Sequence, residues 1–217
     1  MRQRATSAAA RNERRDAILA AAAEAFDRLG FAETRMAWLA EQAGVAKGTV
    51  YLYFPTKEAV FLALYAREMG GWFDGMEKAL EKLPVDDIAR LAGAFVDAIE
   101  RQPRLPPLAA ILHTAFERNS DEADVLAFKR HMLNRMLETG YRLESTMSFL
   151  APGDGARLLL RLHALLIGCW HAATPAPVAN RVLQRSELGA IRVDFSEELE
   201  NTLVLLLEGW RRIGGGF

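Results

Sequence analysis

Residues 30–64 read GFAETRMAWLAEQAGVAKGTVYLYFPTKEAVFLAL, and this stretch decides how the rest of the sequence is interpreted. Thr34 can cap a short helix that Gly44 then breaks. A second short helix spans about residues 46–54, and Pro55 ends it. Two short helices joined at a glycine have the layout of a helix-turn-helix, although any small helical hairpin could match this spacing.

The second of these helices carries an unusual outward face. At about 100° per residue, Val50 and Phe54 point inward together. The outward sector combines a small residue, a hydroxyl group, an aromatic ring and one aliphatic side chain. Its members are Gly48, Thr49, Leu52 and Tyr53, with Lys47 and Tyr51 on its flanks. Such a face suits a DNA groove, because small residues approach bases, hydroxyls donate to phosphate oxygens, and an apolar tip can contact a thymine methyl. The alternative is that the tyrosines belong to the core.

Two lysines begin helices at the edges of this face. Lys47 and Lys57 lie in first turns, where the helix dipole disfavours a cation by a few tenths of a kcal/mol or more. A nearby phosphate would reverse that balance, since lysine and a helix start both bind anions. The alternative is that both are solvated end charges.

The whole stretch resembles the DNA-binding domain of the tetracycline-repressor (TetR) family of bacterial transcriptional regulators. The similarity runs from about Asp16 to Leu64. It rests on many residues at fixed spacing: Gly30-Phe31, Thr34, Leu39-Ala40, Ala43-Gly44-Val45, Lys47-Gly48-Thr49-Val50-Tyr51, and Tyr53-Phe54-Pro55-Thr56-Lys57-Glu58. This pattern is far more specific than a bare helix-turn-helix.

The resemblance implies a role for each matching position. Thr34 and Lys57 would contact the phosphate backbone, and Tyr51 and Tyr53 would contact phosphate or sugar. The start of the recognition helix would approach base edges and phosphates through Lys47, Gly48 and Thr49.

Three features depart from the family pattern. Arg35 stands where a small hydroxylated cap is usual, and we expect it to add a backbone contact instead. Ala37 and Trp38 replace residues that are often polar, so base reading from that helix is in doubt. Ala46 replaces the usual serine cap of the recognition helix.

Charge is unevenly distributed along the 217 residues. The formal net charge is only −1, yet residues 1–15 hold five arginines (Arg2, Arg4, Arg11, Arg14, Arg15) and one glutamate (Glu13), which gives 5 − 1 = +4. We expect residues 1–10 to form a flexible basic arm that meets an anionic surface. The alternatives are a solvated tail or a membrane-surface anchor, and the arginines lack the adjacent apolar face that an anchor needs.

The remaining composition excludes several classes of protein. A single cysteine, Cys169, permits no internal disulfide and fits a reducing cytoplasm. We expect no signal peptide at the N-terminus. The apolar run 158–170 is interrupted and too short to span a bilayer, so no membrane is expected as a partner. We find no catalytic constellation, no phosphate loop and no metal-ligand spacing, and we expect no enzyme activity, cofactor or metal.

The apolar spacing is helical throughout, which predicts an all-α fold of about nine helices. We expect an N-terminal three-helix helix-turn-helix domain over residues 11–57 and a larger helical bundle over residues 58–217, and the resemblance implies that this bundle binds an effector and dimerises. Candidate residues for an adaptable apolar pocket are Trp72, Phe95, His113, Phe116, Met132, Met136 and Trp170. Candidates for a two-fold helical interface are Leu158, Leu162, Leu166, Leu199, Leu203, Leu206 and Trp210. Plain intramolecular core is the alternative for both sets.

The resemblance thus implies a cytoplasmic, homodimeric repressor. It would bind a palindromic double-stranded DNA operator and be released by a small, largely apolar effector. The alternative is an all-helical small-molecule-binding protein or enzyme whose DNA-binding unit is vestigial.

Overall fold

The computed structural model describes residues 2–213, with side chains from Ala8 onwards. This part of the chain contains helices and no strands, which confirms the all-α fold. Ten α-helices form it, one more than predicted: α1 (Arg2–Glu33), α2 (Met36–Gln42), α3 (Lys47–Tyr53), α4 (Lys57–Leu80), α5 (Ile88–Glu100), α6 (Leu105–Ile111), α7 (Glu122–Thr146), α8 (Asp154–Ala173), α9 (Pro177–Leu183) and α10 (Phe195–Ile213). Leu112–Phe116 form a π-helix, and Glu117–Asn119 and Ser186–Ile191 form 3₁₀ turns.

The first helix is longer than the sequence indicates. It begins at Arg2, so the backbone that follows Met1 is helical where we expected a flexible arm. Three successive alanines at residues 8–10 favour this extension, because alanine has the highest helix propensity. The side chains of Arg2 and Arg4, on which the prediction for the arm partly depends, lie outside the described side chains. Met1 and the C-terminal residues 214–217 lie outside the described residues.

The chain divides into two compact units. The first comprises Met1–Glu68 and Ile111–Lys129, and the second comprises Met69–Ala110 and Arg130–Phe217. The first unit therefore extends beyond residue 57, where the sequence suggests a domain boundary, and it includes a later segment that the sequence did not group with it.

The core of the first unit is aromatic. The Phe61 ring lies 5.1 Å from Phe31, 5.9 Å from Phe26 and 5.9 Å from Phe116, measured between ring centroids. Phe116 also meets Phe31 edge-on at 5.1 Å. These contacts fasten the π-helical segment to α1 and α4, and each such pair adds about 0.5–1.5 kcal/mol beyond area burial.

The second unit is built around α10, which packs against α5 and α8. Its contact face is the apolar stripe for which we predicted an interface between two copies. Six of the seven predicted interface residues are buried inside the chain: Leu158, Leu162, Leu166, Leu199, Leu203 and Trp210. These six side chains are therefore already covered within one chain, where α8 and α10 pack against each other, and the position of the dimer interface stays a prediction. Only Leu206 keeps partial exposure.

Helices α7 and α8 approach backbone to backbone at a pair of glycines. A Cβ added at Gly140 would lie 2.7 Å from the backbone nitrogen of Ala156, and one added at Gly155 would overlap the Gly140 carbonyl. The Glu144 carboxylate accepts hydrogen bonds from the N–H groups of Gly153 (2.8 Å) and Gly155 (2.9 Å). It therefore caps α8 from the neighbouring helix.

Candidate nucleic-acid interface

Two features fix the orientation of α3. Gly44 adopts φ +65° in the turn after α2, a backbone conformation that costs a residue with a Cβ about 1 kcal/mol or more. Val50 is fully buried and Phe54 is 5% exposed, as the helical spacing predicts. These two side chains anchor one face of α3 in the first unit and turn the opposite face outward.

That outward face is accessible and apolar at its centre. Leu52 is 82% exposed and Tyr51 is 45% exposed. Lys47 and Gly48 are exposed as well, and Thr49 and Tyr53 are half-buried. Within residues 2–213, no carboxylate forms an ion pair with Lys47. A large exposed leucine beside an unpaired lysine is a poor solvent surface and suits contact with another molecule.

The N-terminus of α3 has no side-chain cap. Ala46 occupies the N-cap position with an extended backbone (φ −64°, ψ 145°), and its methyl group accepts no hydrogen bond. Arg35 is the N-cap residue of α2 and likewise provides no cap. Its side chain is exposed, so it is accessible for the backbone contact that we predict.

The hydroxyl of Thr34 points into the protein, whereas the sequence suggests that it caps α2 and contacts the phosphate backbone. The side chain is 2% exposed, and its hydroxyl donates a 2.7 Å hydrogen bond to the Gly30 carbonyl. Thr34 therefore neither caps α2 nor faces outward. Gly30, at φ 74°, breaks the helical geometry of α1, and this turn brings its carbonyl within reach.

Lys57 also differs from the prediction. Its ammonium donates to the carbonyl oxygens of Phe31 (2.8 Å) and Ala32 (3.1 Å) and lies 4.3 Å from the centroid of the Phe31 ring. Helix C-termini attract cations, so Lys57 neutralises the end of α1. In this arrangement two of the three ammonium N–H groups are directed toward α1, and the contact with a phosphate stays a prediction.

The sequence analysis missed one cation beside α3. The guanidinium carbon of Arg15 lies 5.4 Å from the centroid of the Phe54 ring, directly after the last residue of α3. The cluster of arginines in residues 1–15 was the available signal. The sequence places Arg15 in the first helix of the helix-turn-helix domain, but it could not show that this side chain reaches the end of α3.

The predicted pocket residues are divided between the two units. His113 and Phe116 belong to the first unit, where the His113 ring nitrogen Nδ1 meets Glu117 at 2.9 Å. The other five belong to the second unit: Trp72, Phe95, Met132, Met136 and Trp170. Trp72 contacts Phe95 at 5.4 Å between ring centroids, and Trp170 instead contacts Phe195.

A surface groove in the second unit has a different lining from the one we predicted. It lies between the end of α4 with its following loop and α5, and it is lined by Ala79, Lys82, Leu83, Pro84, Arg90, Gly93, Ala94 and Asp97. None of the seven predicted residues lines it, so the position of the effector pocket stays a prediction.

Two kinds of feature are absent from the described residues. None of their helices is long and apolar enough to cross a bilayer. They also contain no group of three or more His, Cys, Asp or Glu side chains arranged to hold a metal ion.

Comparison with known families explains the architecture. The family model described as "Bacterial regulatory proteins, tetR family" matches residues 18–64, and "Tetracyclin repressor-like, C-terminal domain" matches residues 66–213. The chain belongs to the TetR family. It is therefore a DNA-binding transcriptional regulator with a helix-turn-helix, and the resemblance drawn from residues 30–64 is confirmed.

Curated TetR relatives match to different extents. The transcriptional regulator RutR of Escherichia coli O157:H7 is 41% identical over 220 residues, which covers 97% of this chain and 94% of that protein. The fatty acid metabolism regulator protein of Bacillus subtilis is 37% identical over only 65 residues, or 30% of this chain and 34% of that protein. For the latter protein, the likeness covers only about a third of its length.

Solved structures of TetR regulators share the fold. FadR of Thermus thermophilus, solved in complex with lauroyl-CoA, superposes with a TM-score of 0.59 at 25% identity and covers 90% of this chain and 94% of that one. The regulator SCO7518 of Streptomyces coelicolor gives 0.56 at 18% identity and covers 90% and 98%. The latter likeness concerns the fold alone.

Proposed function

We propose that this TetR regulator is a repressor that binds a palindromic DNA operator as a homodimer and is released by a small, largely apolar effector. The observation that carries the proposal is the exposed face of α3, where Leu52 lies beside Lys47, Gly48 and Tyr51. In a two-fold dimer, two such helices would enter successive major grooves about 34–36 Å apart.

The DNA contacts follow from which side chains are accessible. Lys47 and Thr49 would donate to phosphates or base edges, and Leu52 would contact a thymine methyl or sugar. Tyr51 and Tyr53 would contact the backbone, and Arg35 would add a phosphate contact from the start of α2. Lys57 would keep its bonds to α1 and support this surface from behind.

The dimer surface would lie on the outer faces of α8 and α10. Leu160 (61% exposed) and Leu205 (72% exposed) are the large apolar residues there. Each helix also carries an interior glycine, Gly168 or Gly209, at which an added Cβ would have none of the described residues within 4 Å outside its own stretch of helix. An interior glycine costs about 0.5–1 kcal/mol relative to alanine. Close approach by a second copy would account for both glycines.

An apolar effector is supported by the surroundings of Trp72. The indole lies among Phe73 and Phe95, and its buried Nε1–H has no hydrogen-bond partner among the described residues. An effector with an apolar body and one acceptor would satisfy that donor. Because T. thermophilus FadR was solved with lauroyl-CoA, a medium-chain acyl-CoA is the first ligand to test.

The experiment is selection of genomic fragments by the purified protein, followed by fluorescence anisotropy on the selected duplex. We expect an inverted repeat, two protein chains per duplex, and much weaker binding to one half-site. Lauroyl-CoA should lower operator affinity, because an effector that favours a mismatched state shifts the population away from DNA. Enrichment of no sequence, or equal affinity for a whole site and a half-site, would overturn the proposal.

A further inference from the structure

The buried face of α1 becomes exposed toward the N-terminal part of the helix. Ile18 and Leu19 are buried at 0% and 1% exposure and hold α1 to the unit. Arg11, Arg14 and Arg15 precede Ile18 by seven, four and three residues, so they lie on the same side of the helix. All three are exposed. This side of α1 thus changes from buried and apolar to exposed and basic between Ile18 and Arg11.

Arg15 places this basic face beside the recognition helix. Its guanidinium carbon lies 5.4 Å from the centroid of the Phe54 ring, and α3 ends at Tyr53. A ligand that lies along the outward face of α3 would therefore continue toward Arg15. About 6 Å of helix axis separates Arg11 from Arg15, which is enough for the guanidinium groups to reach two or three phosphates.

Nothing in the described part of the chain neutralises these arginines. Neither Arg11, Arg14 nor Arg15 forms an ion pair there. The nearby carboxylates Glu13 and Asp16 project about 200° and 140° around the helix from Arg11, which is away from the basic face.

We propose that Arg11, Arg14 and Arg15 form a second DNA-contact surface, which grips phosphates of the duplex outside the base pairs that α3 reads. The proposal rests on the operator binding described above and extends it. The arginines would bind any flanking sequence, because phosphates carry no base information. They would lengthen the footprint and steepen the salt dependence, since each neutralised phosphate contributes about −0.9 to the slope of log K against log[salt].

The test compares two duplexes, a minimal operator and the same operator with about ten extra base pairs on each side. The variant is Arg11→Gln with Arg14→Gln, which leaves the Arg15–Phe54 contact in place. Two exposed arginines of the second unit provide the matched control, Arg181→Gln with Arg185→Gln. Circular dichroism before titration checks that α1 remains helical.

On the long duplex, we expect the variant to lose about 3.6 units of salt slope, because two arginines are removed from each of the two bound chains. Its affinity loss between 50 and 200 mM salt would then be roughly a hundredfold smaller than that of the unmodified protein. On the minimal duplex the two proteins should differ much less, and the control should match the unmodified protein on both.

Equal slopes for the variant and the unmodified protein on the long duplex would overturn this inference while leaving operator binding intact. A failure of the unmodified protein to bind either duplex would overturn the proposed function and this inference with it. Equal losses in the variant and the control would show a non-local charge effect and would also refute the inference.

Discussion

The ammonium of Lys57 donates a 2.8 Å hydrogen bond to the carbonyl oxygen of Phe31 and lies 4.3 Å from the centroid of that residue's ring. A lysine in the first turn of α4 is therefore stabilised by the last turn of α1. The same Phe31 ring contacts Phe61 and Phe116 in the core. Lys57 thus helps to hold α4 against the end of α1 in the unit that carries α3.

Replacement of Lys57 should affect stability. Lys57→Gln removes two charge-assisted hydrogen bonds and a cation–π contact, and we expect a loss of about 1–2 kcal/mol in the free energy of unfolding. Lys47→Gln, which breaks no contact of this chain, is the control and should change stability by less than about 0.5 kcal/mol. Urea denaturation of both variants measures the difference. Equal stability would contradict the structural role of Lys57.

The crossing of α7 and α8 should not tolerate a methyl group at Gly140. Gly140→Ala would place Cβ against the Ala156 backbone, which cannot shift without moving α8, and we expect a loss of about 1–3 kcal/mol. Gly70→Ala in α4 meets open space and should stabilise by about 0.5–1 kcal/mol. Thermal melts of the two variants should shift in opposite directions, and a shift in the same direction would refute the close approach.

Association should depend on the outer faces of α8 and α10. The double variant Leu160→Glu with Leu205→Glu should be folded and monomeric, because both side chains are exposed within one chain. Leu133→Glu on α7, at a site that is 53% exposed, is the control and should remain dimeric. Sedimentation velocity distinguishes the two outcomes, and a dimeric double variant would place the interface elsewhere.

Acid should remove the contribution of the Glu117 carboxylate to the free energy of unfolding. Burial opposes ionisation of this carboxyl, but hydrogen bonds from Lys129 and His113 outweigh it and hold its pKa below the ordinary value. A carboxyl with a lowered pKa stabilises the fold above its unfolded-state pKa, and this stability is lost as the pH falls through the folded-state pKa.

We therefore expect Glu117→Gln to cost roughly 1 kcal/mol at pH 7, because Lys129 is half exposed and solvent screens the pair. The difference from the unmodified protein should disappear in strong acid. Chemical denaturation at several pH values measures it, and a difference that is constant with pH would be inconsistent with this ion pair.

The helical period of the apolar residues correctly predicted the α-helical fold and the orientation of α3. Val50 and Phe54 are buried and Leu52 is exposed, as the spacing of these residues around a helix requires. Periodicity could not say what covers an apolar stripe. Leu162 and Leu203 were assigned to a second copy, but the chain's own α8 and α10 cover them, since a stripe shows that burial is needed and does not identify the partner.

Contacts between residues that are far apart in the chain could not be predicted from local sequence patterns either. Lys57 and Phe31 are 26 positions apart, and their hydrogen bond depends on the turn at Gly30. The same turn gives Thr34 an internal acceptor and withdraws its hydroxyl from the surface. In both cases a side chain that could have bound phosphate is used inside the fold.

The most direct test of the account is operator affinity of Leu52→Ala beside that of the unmodified protein, measured by fluorescence anisotropy at two or more salt concentrations. Because Leu52 is 82% exposed, the variant should keep its stability. It should bind the selected operator about tenfold or more weakly, with an unchanged salt slope, since an apolar contact to DNA releases no counterion. Unaltered affinity in a folded Leu52→Ala variant would contradict the claim that this face of α3 reads DNA.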